Sequence, residues 1–338
     1  MTIRIAAIGI THSHIHGQID TLTRMGATFV SWWSDEEDVA GPFAQRHPGA
    51  RRAKDRREIL DDPSIQMVLT SAIPAQRAEI AVAAMRHGKD VMSDKPGMTT
   101  FAQLDEIKRV QQETGRIFSV CYSEHFETRA TLKAGELVQA GAIGEVINTV
   151  GLGPHALGNN KRAPYFFKRE EYGGILCDIA SHQVEQFLFF ANTLDAEIVS
   201  ASVANRAHPE YPGLQDVGDF HIRSPRTTGY VRVDWFTPKG LGVWGDGRLT
   251  ILGTEGYIEL RKYVDVAGQP GGDHLILVDG KSTQRIDCSA GDRPYGHQLI
   301  ADVLNRTETA MPQDRCFKAM ELALTAQQMA EHGTEWQQ

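Results

Sequence analysis

The sequence predicts two successive domains: an α/β domain built on a parallel sheet, then an α+β domain with a large, open, mostly antiparallel sheet. Three observations predict this. From residue 3 to about 122, short apolar runs alternate with stretches of helical periodicity, the pattern of a parallel sheet with helices on both faces. Beyond 122 the pattern changes to a series of extended runs. Several alternate apolar and polar, as in Tyr230-Val231-Arg232-Val233-Asp234-Trp235, which means one face buried and the other wet or docked. Finally, 338 residues suit about two domains. The division is placed at 1–122 and 123–338.

In the first domain the runs at 3–10, 28–33, 67–72, 90–93 and 117–122 read as strands. Helical patterns near 16–25, 37–47, 75–88 and 99–114 separate them. Ligands of such sheets sit at the carboxyl ends of the strands. Gly9, Ser34, Ser71 and Lys95 all fall at or near those ends. The second domain opens with a helix near 126–140 and a strand at 145–152, then a long loop over 153–174. A helix over 175–191 follows. Extended runs come next at 196–204, 217–223, 228–236, 241–244, 248–252, 256–261 and 274–287. Helices near 295–306 and 314–331 close the chain, and the tail 333–338 is expected to fray.

Composition removes several classes of function. A net charge of −8 without a lysine/arginine tract makes nucleic acid and anionic membranes poor partners. The four cysteines, Cys121, Cys177, Cys288 and Cys316, are scattered and follow no Cys-x-x-Cys spacing. They read as reduced thiols, neither a disulfide framework nor a zinc site. The N-terminal run Ile3–Ile10 is apolar but short, a buried strand and not a signal peptide. No apolar run approaches the roughly 20 residues that span a bilayer, so the expected location is cytoplasmic.

The chemistry concentrates in Gly173-Gly174-Ile175-Leu176-Cys177-Asp178-Ile179-Ala180-Ser181-His182. Apolar residues at Ile175, Ile179, Phe187 and Phe190 recur at helical spacing, which puts Asp178 and His182 one turn apart on one face. A carboxylate and an imidazole on a buried face are costly unless paired or used. So spaced, the aspartate can orient the imidazole and raise its basicity, which suits proton abstraction from a hydroxyl. The same spacing also fits a structural Asp–His pair.

Asp90-Val91-Met92-Ser93-Asp94-Lys95-Pro96 ends a strand with a lysine followed by proline. Taken with Gly173-Gly174…Asp178…His182, it resembles the Gfo/Idh/MocA family of NAD(P)-dependent sugar and polyol oxidoreductases. That family carries Glu-Lys-Pro after its fourth nucleotide-domain strand, where this chain has Asp94. Gly141-Ala142-Ile143-Gly144-Glu145-Val146 matches the family's entry into its large sheet. The resemblance implies a Rossmann-like, dinucleotide-binding first domain and a second domain for substrate binding and oligomerisation. It implies catalytic roles for Lys95, Asp178 and His182. Lys95 would enter the substrate cleft and stabilise a developing alkoxide.

The first strand-to-helix turn departs from the dinucleotide fingerprint. Gly9-Ile10-Thr11-His12-Ser13-His14-Ile15-His16-Gly17 keeps only Gly9, with Thr11 and His14 where glycines are expected. The resemblance is what assigns cofactor binding to Gly9, Ile10, Thr11 and His12. It adds Ser71, Ala72 and Pro74 after the third major strand, and Asp94 and Lys95 after the next. His12, His14 and His16 with Asp20 offer a metal site as the alternative, but side chains two apart diverge at a helix start, and no metal is expected. Ser34 occupies the ribose-reading position with Asp35 after it. Serine leaves room for a 2′-phosphate, yet no arginine follows to bind one and Asp35 would repel it, so NAD is favoured over NADP.

The long loop contributes His155, Lys161, Arg162, Tyr165 and Phe166 as candidate substrate contacts. Tyr122, Glu124 and His125 stand at the domain junction, where the family has other polar residues. The substrate-binding set is therefore Lys95, Tyr122, His155, Arg162, Asp178 and His182. The expected activity is hydride transfer between a sugar, polyol or sugar derivative and NAD or NADP. Two alternatives use the same residues: glycoside cleavage through transient sugar oxidation, and a non-catalytic metabolite sensor. A homodimer or homotetramer is expected, because an open sheet face needs covering.

Overall fold

The structure is a computed structural model and describes residues 2–158 and 162–332. Lys161 and the tail at 333–338 lie outside the described residues. The chain divides into two units. One comprises Met1–Cys121, Glu170–Gly173 and Pro294–Met320; the other comprises Tyr122–Arg169, Gly174–Arg293 and Glu321–Gln338.

The first unit holds six strands: β1 (Arg4–Ile8), β2 (Thr28–Trp33), β3 (Arg51–Arg52), β4 (Met67–Thr70), β5 (Asp90–Asp94) and β6 (Phe118–Cys121). They form one sheet in the order β3-β2-β1-β4-β5-β6, parallel at every pairing. This is the dinucleotide-binding order, with its topological switch between β1 and β4. Strands β4, β5 and β6 are buried throughout, which suits the apolar residues at their centres. The short β3 and the helix Arg56–Leu60 were not legible in the sequence: two arginines do not read as a strand, and the helix has barely one turn.

The sequence division at 122 does not cut the chain cleanly, because Pro294–Met320 returns to the first unit. Helix Tyr295–Asn305 contacts helix His14–Thr23, and the Tyr295 hydroxyl hydrogen-bonds Ser119 at 2.8 Å. Arg306 donates to both Asp90 carboxylate oxygens, at 2.8 and 2.6 Å. The Gln313 side chain bonds both backbone groups of Phe118 on the edge strand, accepting from its N–H at 2.9 Å and donating to its carbonyl at 3.0 Å.

The second unit holds β7 (Val146–Pro154), β8 (Glu197–Ala204), β9 (Val217–Arg223), β10 (Thr228–Asp234), β11 (Arg248–Gly253), β12 (Gly256–Arg261), β13 (His274–Asp279) and β14 (Thr283–Ile286). Their order is β14-β13-β12-β11-β7-β10-β9-β8, antiparallel except for β7 against β10. Helix Ser181–Ala191 packs on β7. Glycines make that approach possible. A Cβ at Gly151 or Gly153 would lie 3.0 or 2.8 Å from Gln183, and one at Gly229 would lie 2.8 Å from Phe187.

Three sequence expectations need correction here. Residues 241–244 are not a strand: a 3-10 turn at Lys239–Leu241 leads into Gly242 at φ +77°, which interrupts extended backbone. The run 274–287 is two strands, β13 and β14, joined by a turn in which Asp279 accepts from the N–H groups of Lys281 and Ser282 at 2.8 Å. The helix over 175–191 is two helices, Ile175–Asp178 and Ser181–Ala191. The Ser181 hydroxyl donates to the Asp178 carbonyl at 3.1 Å, and the His182 N–H turns to Ile179 instead, at 3.2 Å. Local competition from a serine hydroxyl thus displaces the regular ladder.

Candidate active site

Each unit presents its own set of candidate residues. In the first, Gly9 ends β1 at φ +76°, and a Cβ there would lie 2.5 Å from that of Ala72. Only glycine lets the two strand ends meet this closely. The turn is laced to the end of β4: Ser71 N–H donates to Gly9 at 3.0 Å, and His12 N–H donates to Ser71 at 2.8 Å. Ile10 and Ala72 are buried, and Pro74 begins helix Pro74–Arg86.

The Lys95 turn has its own scaffold, and the residue that builds it was missed. Arg77 is 1% exposed. Its guanidinium donates to the carbonyls of Ala72 at 2.8 Å and Pro96 at 3.0 Å, to that of Lys95, and to Asp94 Oδ2 at 3.0 Å. One cation thereby joins the ends of β4 and β5 and fixes the backbone on both sides of the Lys95–Pro96 bond, which is cis. An arginine three residues after Pro74, in an alanine-rich helix, was the available signal. Asp94 also accepts from Lys95 N–H at 2.8 Å and pairs with His14 Nδ1 at 3.0 Å. Burial works to raise its carboxyl, but His14 and then Arg77 outweigh it and hold it well below the usual carboxylate range.

His12 and His14 do not diverge as expected. Both turn to Asp94, their rings 4.0 Å apart and edge-on, because the chain bends at residues 12–13 before the helix starts. His12, His14 and Asp94 bring ligand atoms within 4.8 Å of one another. A dication there would face two fixed cations, since Arg77 and Lys95 both act on His12. His16 leaves the group: its Nδ1 lies 2.8 Å from His47 Nε2, and its ring stacks on Phe43.

At the end of β2, Ser34 is buried and Asp35 exposed. The expectation that no arginine serves this position is corrected by Arg52, which donates to the Ser34 carbonyl at 3.2 Å from β3. It lies 18 residues on, so the turn itself carried no trace of it. Arg52 also pairs with Glu37 at 3.0 Å, and Glu36 accepts from Thr11 at 3.0 Å.

In the second unit, Asp178 and His182 are 5% and 2% exposed. The turn that carries Asp178 is tied at its start. Gln327 accepts from the N–H groups of Leu176 and Cys177 at 2.9 and 3.3 Å, and Gln215 accepts from that of Ile175 at 3.0 Å. A side chain at Gly174 would occupy the space of Gln327. Tyr122 is fully buried and sets its ring edge-on to His182, centroids 6.0 Å apart. The Arg162 guanidinium lies over the rings of Trp235 and Phe166, at 4.3 and 4.6 Å, and donates to the carbonyls of Ala156 and Leu157. Burial lowers its pKa while Asp178 acts to raise it, which places the two in one electrostatic neighbourhood. His155 lies against Trp244 and Trp235, with ring centroids 4.6 and 5.5 Å away.

A parallel sheet in dinucleotide-binding order, joined to a mostly antiparallel unit that buries Asp178 and His182, defines a two-domain architecture of the dinucleotide-binding class. The comparisons agree. Residues 3–122 match the model for the oxidoreductase family with an NAD-binding Rossmann fold, and residues 131–259 match the GFO/IDH/MocA C-terminal domain. The chain belongs to the Gfo/Idh/MocA family. Among solved structures, a protein of Erwinia carotovora atroseptica SCRI1043, named as an oxidoreductase by inference, is 43% identical with a TM-score of 0.95, covering 97% of this chain and 98% of its own. Sequence relatives include a 1,5-anhydro-D-fructose reductase of Ensifer adhaerens, 26% identical over 54% of this chain and 55% of its own length. A scyllo-inositol 2-dehydrogenase (NADP(+)) of Bacillus subtilis is 27% identical over 54% of this chain and 50% of its own. The aligned stretches thus span about half the length of these two relatives. Among the described residues, no helix is long and apolar enough to cross a membrane.

The histidines of the first unit make its stability depend on pH. Burial, then Arg46, lowers His16 from 6.5 to about 4, and His47 is lowered by the same two causes. Burial, then His14, lowers His12 well below 6.5. The folded state holds these rings neutral, whereas the unfolded chain takes up protons below about 6.5. Their contribution is therefore complete above that pH and is lost as pH falls from 6.5 towards 4. Thermal unfolding should show the midpoint falling over this window, with a shallower fall in His16→Gln. A flat midpoint from pH 7 to 5 would contradict the assignment.

Proposed function

We propose that this protein is an NAD(P)-dependent dehydrogenase acting on a CH–OH group of a sugar, polyol or sugar derivative. The observation that carries the reading is that Asp178 and His182 are both buried, at the end of one short helix and the start of the next, in a chain whose family is defined by an NAD-binding fold. His182 removes the hydroxyl proton as the carbinol hydride leaves for the nicotinamide. Asp178 orients the imidazole, and the Lys95 ammonium stabilises the alkoxide. The named relatives, a reductase of an anhydro sugar and a dehydrogenase of scyllo-inositol, support the substrate class. Arg162, His155 and Tyr122 are the proposed substrate contacts of the second unit.

Lys95→Ala and His182→Ala should each lower turnover at least about a hundredfold, the usual scale for losing a charge-stabilising donor or a general base. Asp178→Asn should cost less and shift the pH–rate profile. Melting temperature measured beside turnover separates chemistry from folding. Normal turnover per folded His182→Ala molecule would end this mechanism.

The cofactor is held by the turn at Gly9–His12 and by Ser71, Ala72 and Pro74. NAD remains favoured, because Arg52 is engaged by Glu37 while Asp35 and Glu36 add negative charge where a 2′-phosphate would sit. Titration with each cofactor should raise the melting temperature, more with NAD at equal concentration. Stronger binding of NADP would overturn the preference for NAD. No response to either would remove the enzyme reading.

The open sheet of the second unit is proposed to associate as a homodimer or homotetramer. Ile147, Val199, Leu252 and Tyr257 on its strands are 39–48% exposed, more apolar surface than a wet face needs. Light scattering at micromolar concentration should give a mass of two or four chains; a monomer would refute association.

A further inference from the structure

The second unit buries more charge than the proposed reaction uses. Glu124 and Lys262 are 2% and 3% exposed, and Lys262 Nζ donates to Glu124 Oε2 at 2.7 Å. Taking two such groups out of water is costly, and well-packed apolar residues of similar volume often serve stability as well or better. The hydrogen bonds of the pair lead to a different role. Glu124 Oε2 also accepts from Gln183 Nε2 at 3.0 Å. Lys262 Nζ donates to Gln186 Oε1 at 2.8 Å, and Gln186 Nε2 donates to the His182 carbonyl at 2.9 Å. The pair therefore grips helix Ser181–Ala191 at the residue after His182 and again one turn on. Glu124 lies two residues from Tyr122, whose ring faces the His182 imidazole. Its own position is fixed by Thr131, whose hydroxyl donates to the Glu124 carbonyl at 3.0 Å. The second carboxylate oxygen, Oε1, is buried and accepts no hydrogen bond among the described residues.

We propose that Glu124, anchored by Lys262, is a positioning residue for His182: it fixes the helix turn that carries the imidazole and supplies a permanent negative charge favouring the imidazolium. The proposal rests on the reading of His182 as the general base. Burial works to raise the Glu124 carboxyl, but Lys262, then His182 and His155, outweigh it and bring it down to about 2. The charge is thus present at any ordinary working pH. Asp178 lies one turn before His182 on the preceding helix, and the Tyr122 phenol comes from the segment across. His155 bears on the same Glu124 carboxylate. Lys262, hydrogen-bonded to the same carboxylate, opposes imidazolium formation, so its charge is removed together with that of Glu124 in one arm of the test.

The test is the titration of His182 in the full-length protein, followed by NMR with labelled imidazoles and assigned by the resonance lost in His182→Asn. Glu124→Gln should move the His182 midpoint to lower pH by about one pH unit, the scale of losing a nearby opposite charge. The acid limb of the kcat profile should move with it, and kcat should fall about tenfold, less than for loss of the base itself. Because Glu124→Gln leaves Lys262 buried without its carboxylate, Glu124→Gln/Lys262→Met guards against a folding defect and should shift the midpoint in the same direction by less. An unchanged midpoint in both folded variants overturns the proposal. Turnover of His182→Asn separately decides whether His182 is the base, so failure of either reading is recognised without the other.

Discussion

The close approach of helix Ser181–Ala191 to its sheet is the constraint on which the second unit depends. Side chains on the floor beneath Gln183 and Phe187 are reduced to hydrogen at Gly151, Gly153 and Gly229. The helix can then sit low enough for Gln183 to reach Glu124 and for Gln186 to reach Lys262. A methyl group at any of these positions would force the helix outwards or the Gln183 amide aside, an overpacking cost of about 1–3 kcal/mol. The larger loss would be positional, because His182 travels with the helix. Here core packing and site geometry are one variable.

The first unit solves the same problem with charge. Arg77 takes the role that a regular ladder cannot play where strands end, satisfying the carbonyls of Ala72, Lys95 and Pro96 at once. Such a buried guanidinium is tolerable only because its fork is filled, and Asp94 completes it. The aspartate in place of the family's glutamate is shorter by one methylene. Its side chain folds back on its own turn, accepting from the Lys95 N–H and from His14. The two histidines in the glycine-poor turn are thus tied to the lysine turn through one carboxylate.

The alternating apolar runs carried the parallel sheet because its central strands are largely buried on both faces, and period-2 segments carried most of the antiparallel one. Elements whose boundary depends on a single side-chain bond escaped: the Ser181 hydroxyl that splits the helix, and Asp279 that turns β13 into β14. Asp178, His182 and Lys95 were legible because charged residues interrupt apolar patterns there. Arg52, Gln327 and Lys262 were not, since each reaches its partner from far along the chain. Local sequence carries no record of a contact made by a side chain 138 residues away, as between Lys262 and Glu124.

Gln313 bonds Phe118 through both its amide oxygen and its amide nitrogen, as a residue of a neighbouring strand would. A side chain thereby stands in for the missing seventh strand beside β6, at the sheet edge where another chain could otherwise add itself. That guard is among the last parts of the unit to leave the ribosome. During synthesis the strands through Cys121 can assemble long before residue 313 emerges, at about 5–20 residues per second. For that interval of roughly ten seconds or more the nascent sheet carries an open edge with apolar Phe118 and Val120 on it. Fidelity of folding in this chain is thus a matter of timing as well as of energy.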